Sequence, residues 1–455
     1  MLAALPASPA HAMVITVTTP NEAGADGLCS LREAIQAANT NAPVEACGGG
    51  SVGPDYIKMS TSGIYFLSLV GAGEDLNATG DLDITEELEI EATSGANVII
   101  DGNLTDRVFH IHPGVKATIS KLTIQRGSNV DGGVGGGILN AGTLILNSST
   151  VKDNSNFNVG GGGIYNGYAY VNPTMILTDS TISGNTATTG GGIDNYLGAT
   201  ATLNRTTVSG NSTPNPGGSG TGGGIRNDGA MTLTNSTVSG NTATVGGGGI
   251  GQFDGGLTLN NSTVSENLAP IGGGITSGTC SVNCGIVVIK NTIIANNSVG
   301  NCGGAGAPSN SYLGVNLFDD NTCDLTVVVG AGLAGLDGLA LNAPGTTKTH
   351  ALMTGSPAIN AVPWPSDCTD TASSPIATDQ RGVTRPQGSA CDIGAYELAL
   401  SVGGTVELLG QPDAPGSAQA SASSSVPYAA LAGGLAAGVL ALASGGWYAR
   451  RRWLP

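Results

Sequence analysis

The chain has 455 residues, with 33 acidic and 16 basic side chains and a formal net charge of −17. This charge repels nucleic-acid phosphates and no extended basic run offsets it, so nucleic-acid binding is excluded as a leading function. Apolar residues make up 40% of the chain and aromatic residues only 4%, so a core has to be built from aliphatic side chains. The 74 glycines are more than twice the usual share of about 7%, which indicates a short repeated unit.

The N-terminus indicates export. Ala10-His11-Ala12 has the small-x-small form of a signal-peptidase site, and we expect residues 1–12 to be the remainder of a signal peptide whose start lies upstream. Further on, Ser30-Leu31-Arg32-Glu33 has the pattern of a helix capping box, and apolar residues follow it at helical spacing. We therefore predict that residues 13–60 form an N-terminal cap, in which a short amphipathic helix covers the start of the repeats.

A repeat occupies the chain between about residues 135 and 300. The tetrapeptide Gly-Gly-Gly-Ile recurs at intervals of 25 to 32 residues, with its isoleucine at Ile138, Ile164, Ile193, Ile225, Ile250 and Ile275. Each copy is followed by Leu-x4-[Val/Ile]-x2-Asn, or by Val in place of Leu in the last copy. These units are Leu146/Val151/Asn154, Leu177/Ile182/Asn185, Leu203/Val208/Asn211, Leu233/Val238/Asn241, Leu259/Val264/Asn267 and Val288/Ile293/Asn296. Length varies only between the units, which is typical of fixed strands joined by variable loops.

The apolar residues of each unit alternate with Ser, Thr and Asn, which is the period of two of a β-strand and excludes a helical solenoid. A coil of about 25 residues cannot bury its own apolar face, so successive coils have to stack at about 4.8 Å. We therefore predict an all-β fold, a parallel β-helix (solenoid) of roughly ten coils over residues 61–330. We expect the Val/Ile column to be buried and the Asn column to bond from coil to coil at a turn. The predicted buried column is Val151, Ile182, Val208, Val238, Val264 and Ile293.

The C-terminal part divides into four segments. Residues 331–400 contain charged motifs, and we predict a closing cap held by a buried ion-pair network. Residues 401–425 have the composition of a linker. Residues 426–448 are free of charge and long enough to span a bilayer, so we predict a single transmembrane helix that anchors the protein. Three arginines in residues 449–455 place that tail on the cytoplasmic side and the rest of the chain outside the cell.

The eight cysteines fall into neighbouring pairs, which suits disulfides in an exported protein. The pairs are Cys29/Cys47, Cys280/Cys284, Cys302/Cys323 and Cys368/Cys391. Eight cysteines permit 105 pairings in principle. The alternative is a zinc site from Cys280, Cys284, Cys302 and Cys323, although this spacing matches no standard zinc finger.

Three parts of the chain resemble known families. Residues 27–35, which contain Cys-Ser-Leu-Arg-Glu-Ala, are similar to the signature of the CSLREA-domain bacterial surface proteins. Ser356-Pro-Ala-Ile-Asn360, Asp379-Gln-Arg-Gly382, Arg385-Pro386 and Cys391-Asp-Ile-Gly-Ala-Tyr-Glu397 resemble the C-terminal signature of choice-of-anchor Q proteins. The repeats resemble those of right-handed, pectate-lyase-like β-helices and of polymorphic outer membrane proteins. These resemblances imply a right-handed β-helix at a cell surface, but a fold does not fix an activity.

One outward-facing column carries the candidate binding residues. The residue after each repeat isoleucine runs Leu139, Tyr165, Asp194, Arg226, Gly251 and Thr276. Tyrosine rings on such a face suit stacking on sugars, so we expect an exposed patch here, which is the candidate glycan-binding patch of the chain. Its members are Tyr165, Tyr168, Asp194, Tyr196 and Arg226. The alternative, which is the favoured interpretation of the opposite charges on adjacent rungs, is a salt bridge between rungs with packed loops.

Other candidate chemistry is sparse. His110 and His112 would face the same side of a strand, but no third metal ligand lies near them in sequence, so a structural role is the favoured interpretation. Motifs of hydrolases, phosphate-binding loops and dinucleotide-binding proteins are not found in the sequence. We predict no catalytic residues, cofactor or metal.

These observations favour an exported, membrane-anchored surface protein that serves adhesion, glycan contact or envelope structure. Its expected partner is an extracellular polysaccharide or another cell surface. The alternative is an enzyme of the polysaccharide-lyase class. The resemblance implies that such a lyase would use an Arg or Lys base with acidic, often calcium-bound, partners, and Asp194 and Arg226 come nearest to that arrangement.

Overall fold

The repeats form coils that stack into three long parallel β-sheets. The structure is a computed structural model that describes residues 13–399, apart from 23, 25, 94, 130–131, 169–170, 215–219, 278–284, 305–310 and 324–331. Within these residues the sheets have eleven, nine and ten strands, and every neighbouring pair that they contain is parallel. The predicted all-β parallel β-helix is thereby confirmed.

The first and second sheets have these bounds. The first sheet consists of Val14–Val17, Asp55–Met59, Leu88–Ala92, Lys116–Ser120, Thr143–Asn147, Thr174–Thr178, Thr200–Asn204, Ala230–Thr234, Gly256–Asn260, Ile286–Lys290 and Ser311–Leu313. The second sheet consists of Leu82–Ile84, Phe109–Ile111, Ile138–Asn140, Ile164–Asn166, Ile193–Asn195, Ile225–Asn227, Ile250–Gln252, Ile275–Ser277 and Cys302–Gly303. Each strand of the second sheet therefore begins at, or in register with, the isoleucine of the repeat.

The third sheet carries the second apolar position of each unit. It consists of Gly63–Phe66, Val98–Asp101, Leu122–Gln125, Thr150–Lys152, Thr181–Ser183, Thr207–Ser209, Thr237–Ser239, Thr263–Ser265, Ile293–Ala295 and Leu317–Phe318. A shorter fourth sheet consists of Ser155–Gly160, Thr186–Thr189, Ser212–Thr213 and Thr242–Ala243. A two-stranded antiparallel sheet near the C-terminus pairs Leu336–Ala340 with Thr349–Leu352.

The buried column of the third sheet follows the predicted register until its last member. Val151, Ile182, Val208, Val238 and Val264 pair rung to rung and are fully buried. Val264 then pairs with Ile294, whereas Ile293 pairs with Thr263 on the opposite face, so the prediction of Ile293 is wrong. The same one-residue shift replaces Val288 by Ile289 and Asn296 by Asn297. Two adjacent isoleucines satisfy the apolar pattern in either register, and alternation alone does not choose between them.

The predicted asparagine ladder is present. In each step the Nδ2 of one asparagine donates to the Oδ1 of the next over 2.9–3.0 Å. Its members are Asn154, Asn185, Asn211, Asn241, Asn267 and Asn297. A second ladder, which the sequence analysis did not identify, joins Asn140, Asn166, Asn195, Asn227 and Gln252 at 2.7 Å per step. Each side-chain amide also donates a hydrogen bond to a backbone carbonyl oxygen, so these buried polar groups are satisfied.

The glycine triplet makes the tight connection into the second sheet. Gly190 has a φ of 54°, in the left-handed region where a residue without Cβ is favoured. A Cβ on Gly191 would collide with the carbonyl oxygen of Gly223 in the next coil. The triplet therefore reflects both backbone conformation and the close stacking of coils.

The N-terminal helix has the predicted cap. Leu31–Thr40 is helical, and Ser30 and Glu33 form a reciprocal capping box. The buried side of the helix includes Ala34 and Ile35, which join the main core. Two strands inside residues 13–60, Val14–Val17 and Asp55–Met59, are the first members of the first sheet, so the sheet begins within that segment.

The C-terminal segment, residues 332–399, packs along the side of the β-helix. Gln380 bonds Thr207 and Thr237 on successive strands of the third sheet, over 2.9 and 2.7 Å. Further apolar contact comes from a second buried cluster formed by Ile293, Ala295, Leu317, Ala334, Leu352, Ala358, Val362, Cys368, Cys391 and Ile393. This segment therefore covers part of the outer face of the third sheet, where the last two strands present apolar residues, and the closing of the far end stays a prediction.

The predicted ion-pair network holds this segment together. Arg381 Nη2 lies 2.7 Å from Asp379 Oδ2, and Arg385 Nη1 lies 3.0 Å from Glu397 Oε2, with all four side chains buried. The Arg381 guanidinium also lies 3.5 Å from the centroid of the Tyr396 ring. The predicted buried ion-pair network is therefore present.

Three of the four predicted disulfides lie among the described residues and are confirmed. They join Cys29 to Cys47, Cys302 to Cys323 and Cys368 to Cys391. Cys302 and Cys323 are therefore not thiolate ligands, which removes the alternative of a zinc site that uses them. Cys280 and Cys284 lie outside the described residues.

Among the described residues, no helix is both long and apolar enough to cross a membrane. The predicted transmembrane helix at 426–448 lies outside them, as do residues 1–12, the linker 401–425 and the tail 449–455.

Candidate functional site

A continuous column of side chains runs along the outer face of the second sheet. Strand pairing places its members on successive rungs in the order Asp83, His110, Leu139, Tyr165, Asp194, Arg226, Gly251 and Thr276. The six members from Leu139 onward are those expected from the sequence, and two earlier coils extend the column. Two groups of charged and aromatic side chains are centred on it, one around Arg226 and one around His110.

The residues of the predicted glycan-binding patch lie on neighbouring rungs, but they differ in exposure. Tyr168 and Tyr196 are 45% and 40% exposed, whereas Tyr165 is only 7% exposed and Asp194 is buried, so the prediction that these two residues are exposed is wrong. The ring centroids of Tyr165 and Tyr196 are 5.8 Å apart, so the buried ring supports the exposed one. Gly167 permits this packing, because a Cβ there would collide with Tyr196 and approach Cε1 of Tyr165 to 2.9 Å.

Arg226 bridges two carboxylates. Its Nη1 lies 3.4 Å from Asp194 Oδ1, and its Nη2 lies 2.6 Å from Asp228 Oδ2. Asp194 also accepts a hydrogen bond of 2.9 Å from the hydroxyl of Thr189. The Arg226 guanidinium lies 5.1 Å from the ring centroid of Phe253. The cross-rung salt bridge that the sequence analysis offered as the alternative is therefore present, and it includes a second acid.

The electrostatics of this group follow from two acids sharing one base. Burial raises the pKa of Asp228 to about 6, although Arg226 opposes the shift. Burial likewise raises the pKa of Asp194 against the effect of Arg226. Burial lowers the pKa of the Arg226 guanidinium, but the two carboxylates outweigh it and leave that pKa above its usual value. Arg226 is thus a permanent cation and a poor proton acceptor.

Asp228 and Phe253 were not identified from the sequence. Asp228 follows Arg226 by two residues. Because alternate residues of a strand face the same side, this spacing could have placed Asp228 beside Arg226. Phe253 lies one coil further on, where no repeat position marks it.

The second group consists of Asp75, Asp83, His110 and His112. One ligand-type atom from each of these side chains lies within 4.8 Å of the others. His110 and His112 meet as expected, with ring centroids 4.0 Å apart. Asp83 and Asp75 come from the preceding coil, about 30 residues away along the chain, so the sequence analysis found no third ligand.

Asp83 is the anionic centre of this group. Burial raises its pKa, but the imidazoles of His110 and His112 and the backbone N–H of Asn77 outweigh burial and bring the pKa to about 2. Burial lowers the pKa of His110, and Asp83 opposes that shift. An ionised carboxylate and an imidazole with a lowered pKa therefore lie side by side.

Comparisons with known proteins identify no family, and they include a similar solved structure. The chain matches no protein-family model and no curated protein. It is similar to the crystal structure of pectate lyase Pel9A, at 15% sequence identity and a TM-score of 0.42, with 85% of this chain and 96% of that chain covered. The assignment of the fold rests on the strand pairing of this chain, and the CSLREA and choice-of-anchor Q signatures remain resemblances.

Proposed function

We propose that this protein is an exported surface protein whose β-helix contacts an extracellular polysaccharide through Tyr168 and Tyr196. The observation that carries the proposal is the half-exposed ring of Tyr196 held against the buried ring of Tyr165. A rigidly supported tyrosine offers an apolar face to a sugar ring at little cost in side-chain entropy, and its hydroxyl can bond sugar hydroxyls.

The charge near these rings favours a neutral polysaccharide. The group around Arg226 contains one cation and two carboxylates, because Arg226 pairs with both Asp194 and Asp228. The whole chain carries a formal charge of −17. A polyuronate would therefore meet repulsion of like charges on approach, and a neutral glycan would not.

Three disulfides among the described residues support a location outside the cytoplasm, because disulfides persist in oxidising compartments. We further propose that residues 426–448 tether the protein to the membrane from which it projects. This part of the proposal rests on the charge-free stretch and the arginines that follow it.

A polysaccharide lyase is the alternative. Acids, a base and aromatic rings do converge on one face, as an active site requires. However, a lyase of the kind that the resemblance implies needs a base that accepts a proton, and Arg226 is held charged by two carboxylates. Binding without catalysis is the better-supported function.

A glycan array tests this proposal. The chain ending at Ser425 is applied to neutral and acidic glycans, beside the double variant Tyr168→Ala/Tyr196→Ala and the control Phe66→Ala, which removes a similarly exposed ring on the third sheet. We expect binding to neutral glycans, a loss of roughly tenfold or more in the double variant, and no change in the control. Equal binding by the double variant would remove the tyrosines from the proposal, and release of unsaturated sugar products would favour the lyase.

A further inference from the structure

We propose that Asp75, Asp83, His110 and His112 bind one divalent transition-metal ion, with Zn²⁺ the best fit. These residues form the metal group of the following paragraphs. The proposal does not depend on glycan binding and assigns a separate site on the same face of the β-helix.

Three separations within the metal group are close to the ligand spacing around a small ion, and the others are at most 4.8 Å. Asp83 Oδ1 lies 3.0 Å from His112 Nε2 and 3.2 Å from His110 Nδ1. Asp75 Oδ1 lies 3.4 Å from the same nitrogen of His110. A tetrahedral Zn²⁺ ion with bonds of about 2.0–2.2 Å separates its ligand atoms by roughly 3.3–3.6 Å. Small side-chain adjustments therefore bring all four atoms to bonding distance of one ion.

The imidazole of His110 is buried without a directional partner. It is 4% exposed, and among the described residues neither of its ring nitrogens has a hydrogen bond of acceptable geometry. Its Nδ1 is nevertheless close to both carboxylates. Buried polar atoms are almost always hydrogen-bonded, and a bound ion is one of the few explanations for an exception. His112 Nε2, in contrast, forms a hydrogen bond of 3.0 Å with Asp83 Oδ1, which a bound ion would replace.

The surroundings of the metal group orient its ligands. The second oxygen of Asp83 accepts a hydrogen bond of 3.0 Å from the backbone N–H of Asn77. The side chain of Asn77 in turn donates to the backbone oxygen of Arg32 over 3.0 Å. Such outer partners fix ligand direction in metal sites. The Asp75 side chain is 64% exposed, so an ion can enter from the solvent side and draw this carboxylate in.

The donor types select the ion. Calcium and magnesium prefer oxygen ligands throughout, whereas two imidazoles and two carboxylates suit zinc and its neighbours in the transition series. The metal group lies on the column of the second sheet, and two rungs of roughly 4.8 Å separate His110 from Tyr165. A bound ion would join the segment that carries Asp75 to the rigid sheet near the exposed tyrosines.

Titration of the untagged full chain tests this site. The oxidised protein is stripped with a chelator, and Zn²⁺ alone is added while binding is followed by calorimetry and by the melting temperature. We expect one ion per chain with micromolar or tighter affinity, and a higher melting temperature. Bound Co²⁺ should give the visible spectrum of a four-coordinate site with nitrogen and oxygen ligands.

Three variants locate the ion. His112→Ala should abolish binding, and Asp75→Asn, at an exposed position that does not threaten the fold, should weaken it by about tenfold or more. Asp153→Asn removes an exposed carboxylate from another coil and should leave the affinity unchanged. The assignment fails if the parent chain binds no Zn²⁺, if Asp75→Asn and His112→Ala both bind like the control, or if Ca²⁺ binds there in preference to Zn²⁺.

Discussion

At the residue scale, the decisive feature of the outer column is the imbalance between acids and bases around Arg226. Two buried carboxylates share one guanidinium, so the group carries an excess negative charge when both acids are ionised. Burial disfavours the charged form of both acids and is the main reason why their pKa values lie above the ordinary range, and for Asp228 the charge of Asp194 adds to the shift. The stability of this part of the β-helix should therefore depend on pH.

The pH dependence is testable through Asp228. Its pKa in the folded chain is about 6, above the unfolded value of 3.8, so its protonation stabilises the fold fully below pH 3.8, and this contribution is lost as the pH rises through 6. Replacement by Asn removes this contribution. We predict that the unfolding free energy of the parent, minus that of Asp228→Asn, is larger at pH 4 than at pH 7. Denaturant unfolding at the two pH values measures this difference.

The control for this experiment is Asp153→Asn, at an exposed carboxylate. The groups that bear on Asp228 are Arg226, Asp194 and Asp254, and all of them are kept in the variant. A difference between parent and Asp228→Asn that stays constant from pH 4 to pH 7 would contradict the proposed protonation.

At the element scale, each strand of the repeat has one register, set by the apolar residue that faces the interior. Val208 is flanked by the polar residues Thr207 and Ser209, so the sequence pattern correctly predicted that the Val208 side chain points into the core. At the last unit the sequence reads Thr292-Ile293-Ile294-Ala295, and both isoleucines are acceptable inside. Ile293 instead faces outward and joins the cluster beneath the C-terminal segment. The pattern fails there because the outer face is also buried, by a part of the chain that the repeat does not describe.

This register predicts different effects for two adjacent substitutions. Ile294→Ala opens a cavity in the main core and should reduce the free energy of unfolding by about 2–5 kcal/mol. Ile293→Ala should mainly loosen residues 332–399, since it belongs to the cluster that attaches them, and should speed their cleavage by added protease. The exposed Ile286→Ala is the matched control and should do neither. If Ile293→Ala instead lowered the free energy of unfolding and Ile294→Ala mainly sped cleavage of residues 332–399, the register expected from the sequence would be supported.

At the scale of the whole molecule, stacking brings together residues that the sequence keeps apart. The repeat period allowed the column of Tyr165, Asp194 and Arg226 to be predicted, because equal positions in successive coils become neighbours. The group around His110 escaped prediction because its first coils are irregular and carry no Gly-Gly-Gly-Ile to align them. The side-on packing of residues 332–399 escaped for another reason: a charged, disulfide-bonded segment is compatible with either an end or a face of a β-helix.

The last prediction concerns attachment of the whole chain to the cell. If residues 426–448 are the tether, a chain that ends at Ser425 should be released into the medium, whereas the full chain should remain with the membrane fraction. The span is rich in Ala and Gly, so its insertion is less favourable than that of a leucine-rich helix. Deleting the linker 401–425 while keeping the span is the control, and this variant should stay in the membrane. Immunoblots of medium and of salt-washed membranes measure the distribution. Retention of the chain ending at Ser425 on membranes after a high-salt wash would show that another part of the protein holds it there.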